Sequence, residues 1–157
     1  MAMNSNDIFL DIETDWSRNI TVIGFYSEAT GLVQLVGAQI NHRRLLDRLP
    51  PYGRLFTYNG HSFDLSCIRK ELKINLRERY DSWDLRWICQ RNNLRGGQKA
   101  IEDMIGYCRQ TDTLGMCGVD AIQLWMDFQN GNDAALELLL RYNAEDLYGM
   151  MAIRDHL

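Results

Sequence analysis

The sequence is poor in several features that would have settled its class at once. It has only two prolines and three histidines in 157 residues. No tract is of low complexity, and no segment repeats. No apolar run approaches the ~18 residues that a membrane-spanning helix needs, so a membrane partner is not expected. The N-terminal stretch "MAMNSNDIFLDIE" has no basic region followed by a long apolar run, so a secretory leader is not expected either. The four cysteines, Cys67, Cys89, Cys108 and Cys117, show no CxxC spacing. They read as reduced thiols of a cytoplasmic protein, several of them in the core. His42, His61 and His156 do not fall at ligand spacing from them, which weighs against a zinc site. Net positive charge is also missing: the formal value is -4, which argues against a simple basic nucleic-acid binder.

What is present is an ordinary globular composition, 46% hydrophobic and 24% charged, in a length that fits one domain (1–157) with a proper core. The charge is unevenly spread. Between Arg69 and Lys99 nine Lys/Arg face four Asp/Glu, a balance of +5, whereas from Ile101 to the end three face ten, a balance of -7. One region could meet a polyanion while another concentrates acid; solvated faces would also account for the basic half.

"DIFLDIE", "ITVIGFY" and "LVQLV" have strand character. "SEATG", ending in glycine, links the second to the third as a hairpin loop. "NHRRLLDRL" predicts a short helix ending before Pro50 and Pro51. "RLFTYN" predicts a fourth strand, "SFDLSCIRKEL" a helix capped by Ser62, and "RERYDSW" a short strand. Helices follow over "DLRWICQRN", "KAIEDMIGY", "DAIQLWMDFQ" and from about Asn132 to Arg154, with loops at "NLRGGQK" and "RQTDTLGMCG". The expectation is an α/β fold: one mixed sheet, opened by an antiparallel three-strand meander and packed by helices. Trp83, Trp87 and Trp125 are read as core, with Met104, Met116, Met126, Met150 and Met151 as gap-filling core candidates.

Three acidic stretches stand out. In "FLDIETD", Asp11 and Glu13 share one face of a strand, where like charges need a cation or a proton. In "TYNGHSFDLSCI", Gly60 permits a tight turn and Asp64 falls in the first turn of the next helix. In "LLLRYNAEDLYGMM", Asp146 sits in the middle of an apolar stripe, with Tyr142 one turn before it. Each has an ordinary explanation when taken alone. Asp11 could cap a turn, Asp64 could complement a helix dipole, and Asp146 could bond a buried arginine or a backbone amide. Taken together, Asp11, Glu13, Asp64 and Asp146 are hard oxygen donors suited to Mg²⁺ or Mn²⁺. Two such ions ~3.5–4 Å apart can activate water and stabilise a leaving oxygen in phosphodiester hydrolysis.

In order and spacing these stretches resemble the motifs of the DEDD, or DnaQ-like, 3′–5′ exonucleases of the ribonuclease H-like superfamily. "FLDIET" is similar to the first motif, "YNGHSFD" to the second, and "YNAED" to the tyrosine form of the third, which marks the DEDDy group. The likeness extends to YprB-like ribonuclease H-like domains through Asp84-Leu85, "KAIEDMIG" and "YNAED". This resemblance implies a five-stranded mixed sheet flanked by helices, and metal-dependent hydrolysis from the 3′ end of single-stranded DNA or RNA. It implies that Asp11, Glu13 and Asp146 hold a first metal, that Asp11 bridges to a second, that Asp64 acts mainly through water, and that Tyr142 orients the nucleophile. Thr14, Trp16 and Asn59 are expected to contact the nucleic acid, Trp16 by stacking on a terminal base; packing under a loop would equally explain Trp16. His61 is read as a loop residue rather than a base. Two other readings keep the same fold: a structure-specific endonuclease with the same metal site, and a non-catalytic nucleic-acid-binding adaptor.

Overall fold

Among the described residues five strands form one sheet, in the order β3-β2-β1-β4-β5. They are β1 (Ile8–Thr14), β2 (Ile20–Ser27), β3 (Gly31–Val36), β4 (Arg54–Thr57) and β5 (Asp81–Asp84). The computed structural model describes residues 4–157; residues 1–3, part of the N-terminal stretch read for a leader, lie outside it. β1–β3 form the expected antiparallel meander, turning at Gly31 with φ 67°. β4 and β5 add in parallel to the other edge of β1. This is the five-stranded mixed sheet that the resemblance implies.

Among the described residues seven α-helices flank the sheet: α1 (His42–Arg48), α2 (Asp64–Leu72), α3 (Leu76–Arg79), α4 (Leu85–Arg91), α5 (Gln98–Ile105), α6 (Gly118–Gln129) and α7 (Asp133–His156). The alternation of β1 divides the core in two. Ile8, Leu10 and Ile12 join Leu45, Leu65, Ile68 and Leu76 on the side of α1–α3. Phe9 points the other way and packs with Phe56, Leu85, Leu147 and Met150, under α4 and α7. Asp11 and Glu13 share Phe9's parity, so the strand aims them at α7. The far end of α7 is tied down by the buried Arg154, whose Nη1 donates to Asp7 Oδ2 at 2.9 Å. No helix among the described residues is long and apolar enough to cross a membrane.

Several local expectations are corrected. Ser62 does not cap α2: the preceding residue is Phe63, and the Ser62 hydroxyl donates instead to Asn59 O and Oδ1. Asn59, not Gly60, takes the left-handed turn conformation (φ 61°). Gly60 is needed for another reason, since a Cβ there would lie 2.3 Å from Thr57 Cβ. A helical turn, α3, precedes β5 within "RERYDSW". Of the cysteines, all unpaired, only Cys89 is buried; Cys67 is half-buried, and Cys108 and Cys117 are exposed. Trp125 and Met150 are buried, but Met104, Met126 and above all Trp87 (60% exposed) are not core residues.

Candidate active site

The carboxyl ends of the parallel strands β1 and β4 open onto a cleft of about 520 Å³, in the size range of small-molecule sites. Asp11, Glu13, Thr14, Asn59, Asp64, Tyr142 and Asp146 all line it. Oxygens of Asp11, Glu13 and Asp146 lie within 4.8 Å of one another, a grouping able to hold a cation. Asp64 lies outside that group but faces the same cleft, with its Oδ1 accepting from Ile12 N–H at 3.1 Å. Trp16 is not in the cleft wall. It stands 61% exposed in the turn after β1, so it is not packed under a loop.

Two devices bring the acids together. Asp11 pairs with Gly24 across β1 and β2. A Cβ at Gly24 would lie 1.9 Å from Asn143 Oδ1, so its absence lets α7 lay the fully buried Asn143 amide against the sheet. There Asn143 Nδ2 donates to Asp11 Oδ2 at 3.0 Å, while Gln34 fixes Asn143 Oδ1. At the end of β1 the register slips between Glu13 and Thr14, a bulge that ends regular pairing at the cleft.

The charge is poorly compensated. Burial, and then the neighbouring carboxylates Asp146, Glu13 and Asp64, push Asp11 well above the usual carboxyl range. Burial, and then Asp146 and Asp64, do the same to Glu13, against a smaller opposing pull from Lys99. Burial also pushes Asp64 up to about 7. Glu13 Oε1 is buried without a hydrogen-bond partner. Three clustered carboxylates with an unpartnered oxygen form a hard donor set, the chemistry that Mg²⁺ and Mn²⁺ take.

Asp146 has the buried arginine partner that the sequence left open as an alternative, although which arginine was not legible there. Arg109, placed there in a loop, swings back beneath α5. The chain reverses through Gly106 (φ 77°), where Gly106 N–H donates to Asp103 O and Tyr107 N–H to Glu102 O. Arg109 Nη2 then donates to Asp146 Oδ1 at 2.5 Å and to Glu102 Oε1 at 2.7 Å, and Nε to Glu102 Oε2 at 2.6 Å. Burial still raises the Asp146 carboxyl, opposed by Arg109. Lys99 is the second cation: its Nζ donates to Tyr142 Oη at 2.7 Å. Burial, and then Asp146, Glu13 and Asp11, hold the Tyr142 phenol far above its ordinary value, so it stays protonated.

Glu102, 2% exposed, needs room against α7, and Gly149 provides it. A Cβ at Gly149 would sit 2.0 Å from Glu102 Oε1. Because Arg109 and Gln98 both grip that oxygen, it cannot swing away freely. Gly149→Ala is therefore expected to lower stability by about 1–3 kcal/mol. Chemical denaturation measures this, and an unchanged midpoint would mean that the α5–α7 contact is looser than described.

The family model described as the RNase_H superfamily matches residues 8–157. The family B DNA polymerase from the hyperthermophilic archaeon Pyrobaculum calidifontis is similar in fold, with a TM-score of 0.73 at 14% identity over 96% of this chain. The chain spans 24% of that polymerase's length. The EXD2 exonuclease domain, in a crystal soaked in Mg and dGMP, aligns with a TM-score of 0.40 at 21% identity, over 91% of this chain and 80% of that one. No curated protein matches the sequence.

Proposed function

The chain belongs to the RNase H superfamily, and from that premise we propose that residues 1–157 form one nuclease domain: a DEDDy-type, YprB-like 3′–5′ exonuclease acting on single-stranded DNA or RNA. The observation that carries this reading is the cluster of Asp11, Glu13 and Asp146 within 4.8 Å, with the unpartnered Glu13 Oε1 on the floor of an open cleft. Asp11, Glu13 and Asp146 would hold one Mg²⁺ or Mn²⁺, and Asp11, with Asp64 through water, would serve a second. Bound divalent cations supply an activated water and charge stabilisation for the departing oxygen.

The protein's own groups do the remaining work. Arg109 fixes one oxygen of Asp146, leaving the other free to turn to the cleft. Lys99 is a donor only, so Tyr142 Oη accepts from it and keeps its own hydrogen for a further acceptor. In the cleft that acceptor would be the attacking water, held with a lone pair aimed at phosphorus. Burial disfavours the Tyr142 phenolate, so the group would serve as an orienting donor rather than a base. Thr14 and Asn59, which both line the cleft, would touch the terminal nucleotide.

The test is an end-labelled single strand incubated with Mn²⁺, Mg²⁺ or EDTA. Metal-dependent shortening from the 3′ end supports the reading. Internal cuts would replace it with an endonuclease, and binding without cleavage in any metal would replace it with an adaptor. Tyr142→Phe is expected to slow cleavage by roughly 10²-fold, the size of one positioned proton donor, with metal-induced stabilisation retained. Unchanged turnover would remove Tyr142 from the reaction.

A further inference from the structure

We propose that the outer face of α4 is a track for the single-stranded nucleic acid leading away from the active cleft, with Trp87 stacking on a base and Arg86, Arg91 and Arg95 holding phosphates. This rests on the nuclease reading and names how its substrate is held. Trp87 is 60% exposed although its sequence setting reads as core. It lies one helical turn before Arg91, and both line a second cleft with His61, Ser82 and Trp83, at the free edge of β5. From Leu85 to Ile101 the chain carries Arg86, Arg91, Arg95 and Lys99 and no acid. The acid in the wall, Asp84, is buried and engaged, its oxygens accepting from the N–H groups of Asn59, His61 and Arg86.

The two clefts are linked. Arg86 Nη1 donates to Asn59 Oδ1 at 2.9 Å, and Asn59 lines the acidic cleft. On the other side Tyr58, also in that wall, donates to Gly96 O, which places the Arg95 loop against the same rim. Cations held on the acidic floor would attract only the phosphates at the 3′ end, so the strand beyond it gains its affinity on a basic flank. An exposed indole that shares a cleft with the Arg91 guanidinium offers sequence-tolerant stacking together with phosphate neutralisation.

The experiment measures binding of labelled oligothymidylates, about 15 and about 3 nucleotides long, in Ca²⁺ so that binding is read apart from turnover. Trp87→Ala is expected to weaken the long strand by roughly 5- to 150-fold and leave the short one unchanged, while Trp87→Phe keeps most of the affinity. Arg91→Gln is expected to lower the log–log salt slope by about 0.7. A Trp87→Ala protein that binds the long strand as the parent does would overturn the proposal. So would an equal loss on both lengths, or a parent protein with no affinity for the long strand. Failure of the parent to cleave the short strand with Mn²⁺ sinks the nuclease reading instead, and it is scored separately.

Discussion

Asp11→Asn is expected to lower metal-dependent hydrolysis by about 10³-fold or more while raising the melting temperature of the metal-free protein. Both outcomes have one source. In the folded chain, burial and the adjacent Asp146, Glu13 and Asp64 hold the Asp11 carboxyl well above its unfolded value. A group whose folded pKa is raised stabilises the fold at pH below its unfolded pKa. That contribution is lost as pH rises through the folded value. Each such carboxyl therefore gives a slope of about -1.4 kcal/mol per pH unit across its window. For Asp64 the window runs from the ordinary 3.8 to about 7; for Asp11 and Glu13 it begins at the ordinary carboxyl values and extends well above them. Metal-free protein should accordingly melt lower at about pH 8 than at about pH 5, and Asp11→Asn should flatten that difference. The amide can present its oxygen to Asn143 Nδ2 and its NH₂ to the remaining carboxylates, so an attraction replaces a repulsion. In the parent, Mg²⁺ or Mn²⁺ should restore stability at the higher pH, by about 2.7 kcal/mol at a hundredfold excess over Kd, and much less in the variant. Melting curves at the two pH values, with EDTA or metal, decide it. Metal-free protein that is most stable at the higher pH would contradict the crowding argument.

The difference between what the sequence disclosed and what it withheld follows from range. The strands were legible because β1–β3 carry β-branched and aromatic runs joined by a short glycine-ended link. The parity of Asp11 and Glu13 followed from the period of two alone. The spacing of Tyr142 and Asp146 followed from the helix. The partners of these residues were not legible. Arg109 lies seven residues after Glu102 in a stretch of loop composition, and its burial depends on the reversal at Gly106. Asn143 lies within the third motif, yet its contact with Asp11 depends on a missing Cβ at Gly24, over a hundred residues away in the chain. Trp87 shows the opposite failure. An aromatic on an amphipathic stretch is usually core, but α4 packs through Leu85 and Cys89 at the sheet edge and turns its tryptophan outward.

Arg109→Met is expected to be the most destabilising of the single substitutions considered, at about 3–5 kcal/mol, the loss seen when one partner of a buried pair is removed. The guanidinium is 5% exposed and bonds two carboxylates, Glu102 at 2% and Asp146 at 13% exposure. Burial alone would lower its pKa, yet the two acids hold it above the ordinary arginine value. Methionine fills much of the space but leaves both carboxylates facing apolar surroundings and, for Asp146, the acids across the cleft. The deficit should be a melting temperature lower by roughly 10–15 °C for a chain of this length. Arg109→Lys should recover only part of it, since an ammonium cannot serve the two carboxylates in the fixed planar geometry of the guanidinium. Adding Glu102→Gln to Arg109→Met should also recover part, because the double variant no longer buries the Glu102 charge. If the double variant is no more stable than Arg109→Met, the Glu102 charge is not what the arginine holds in check. The stability of this corner of the fold would then rest on packing between α5 and α7 alone.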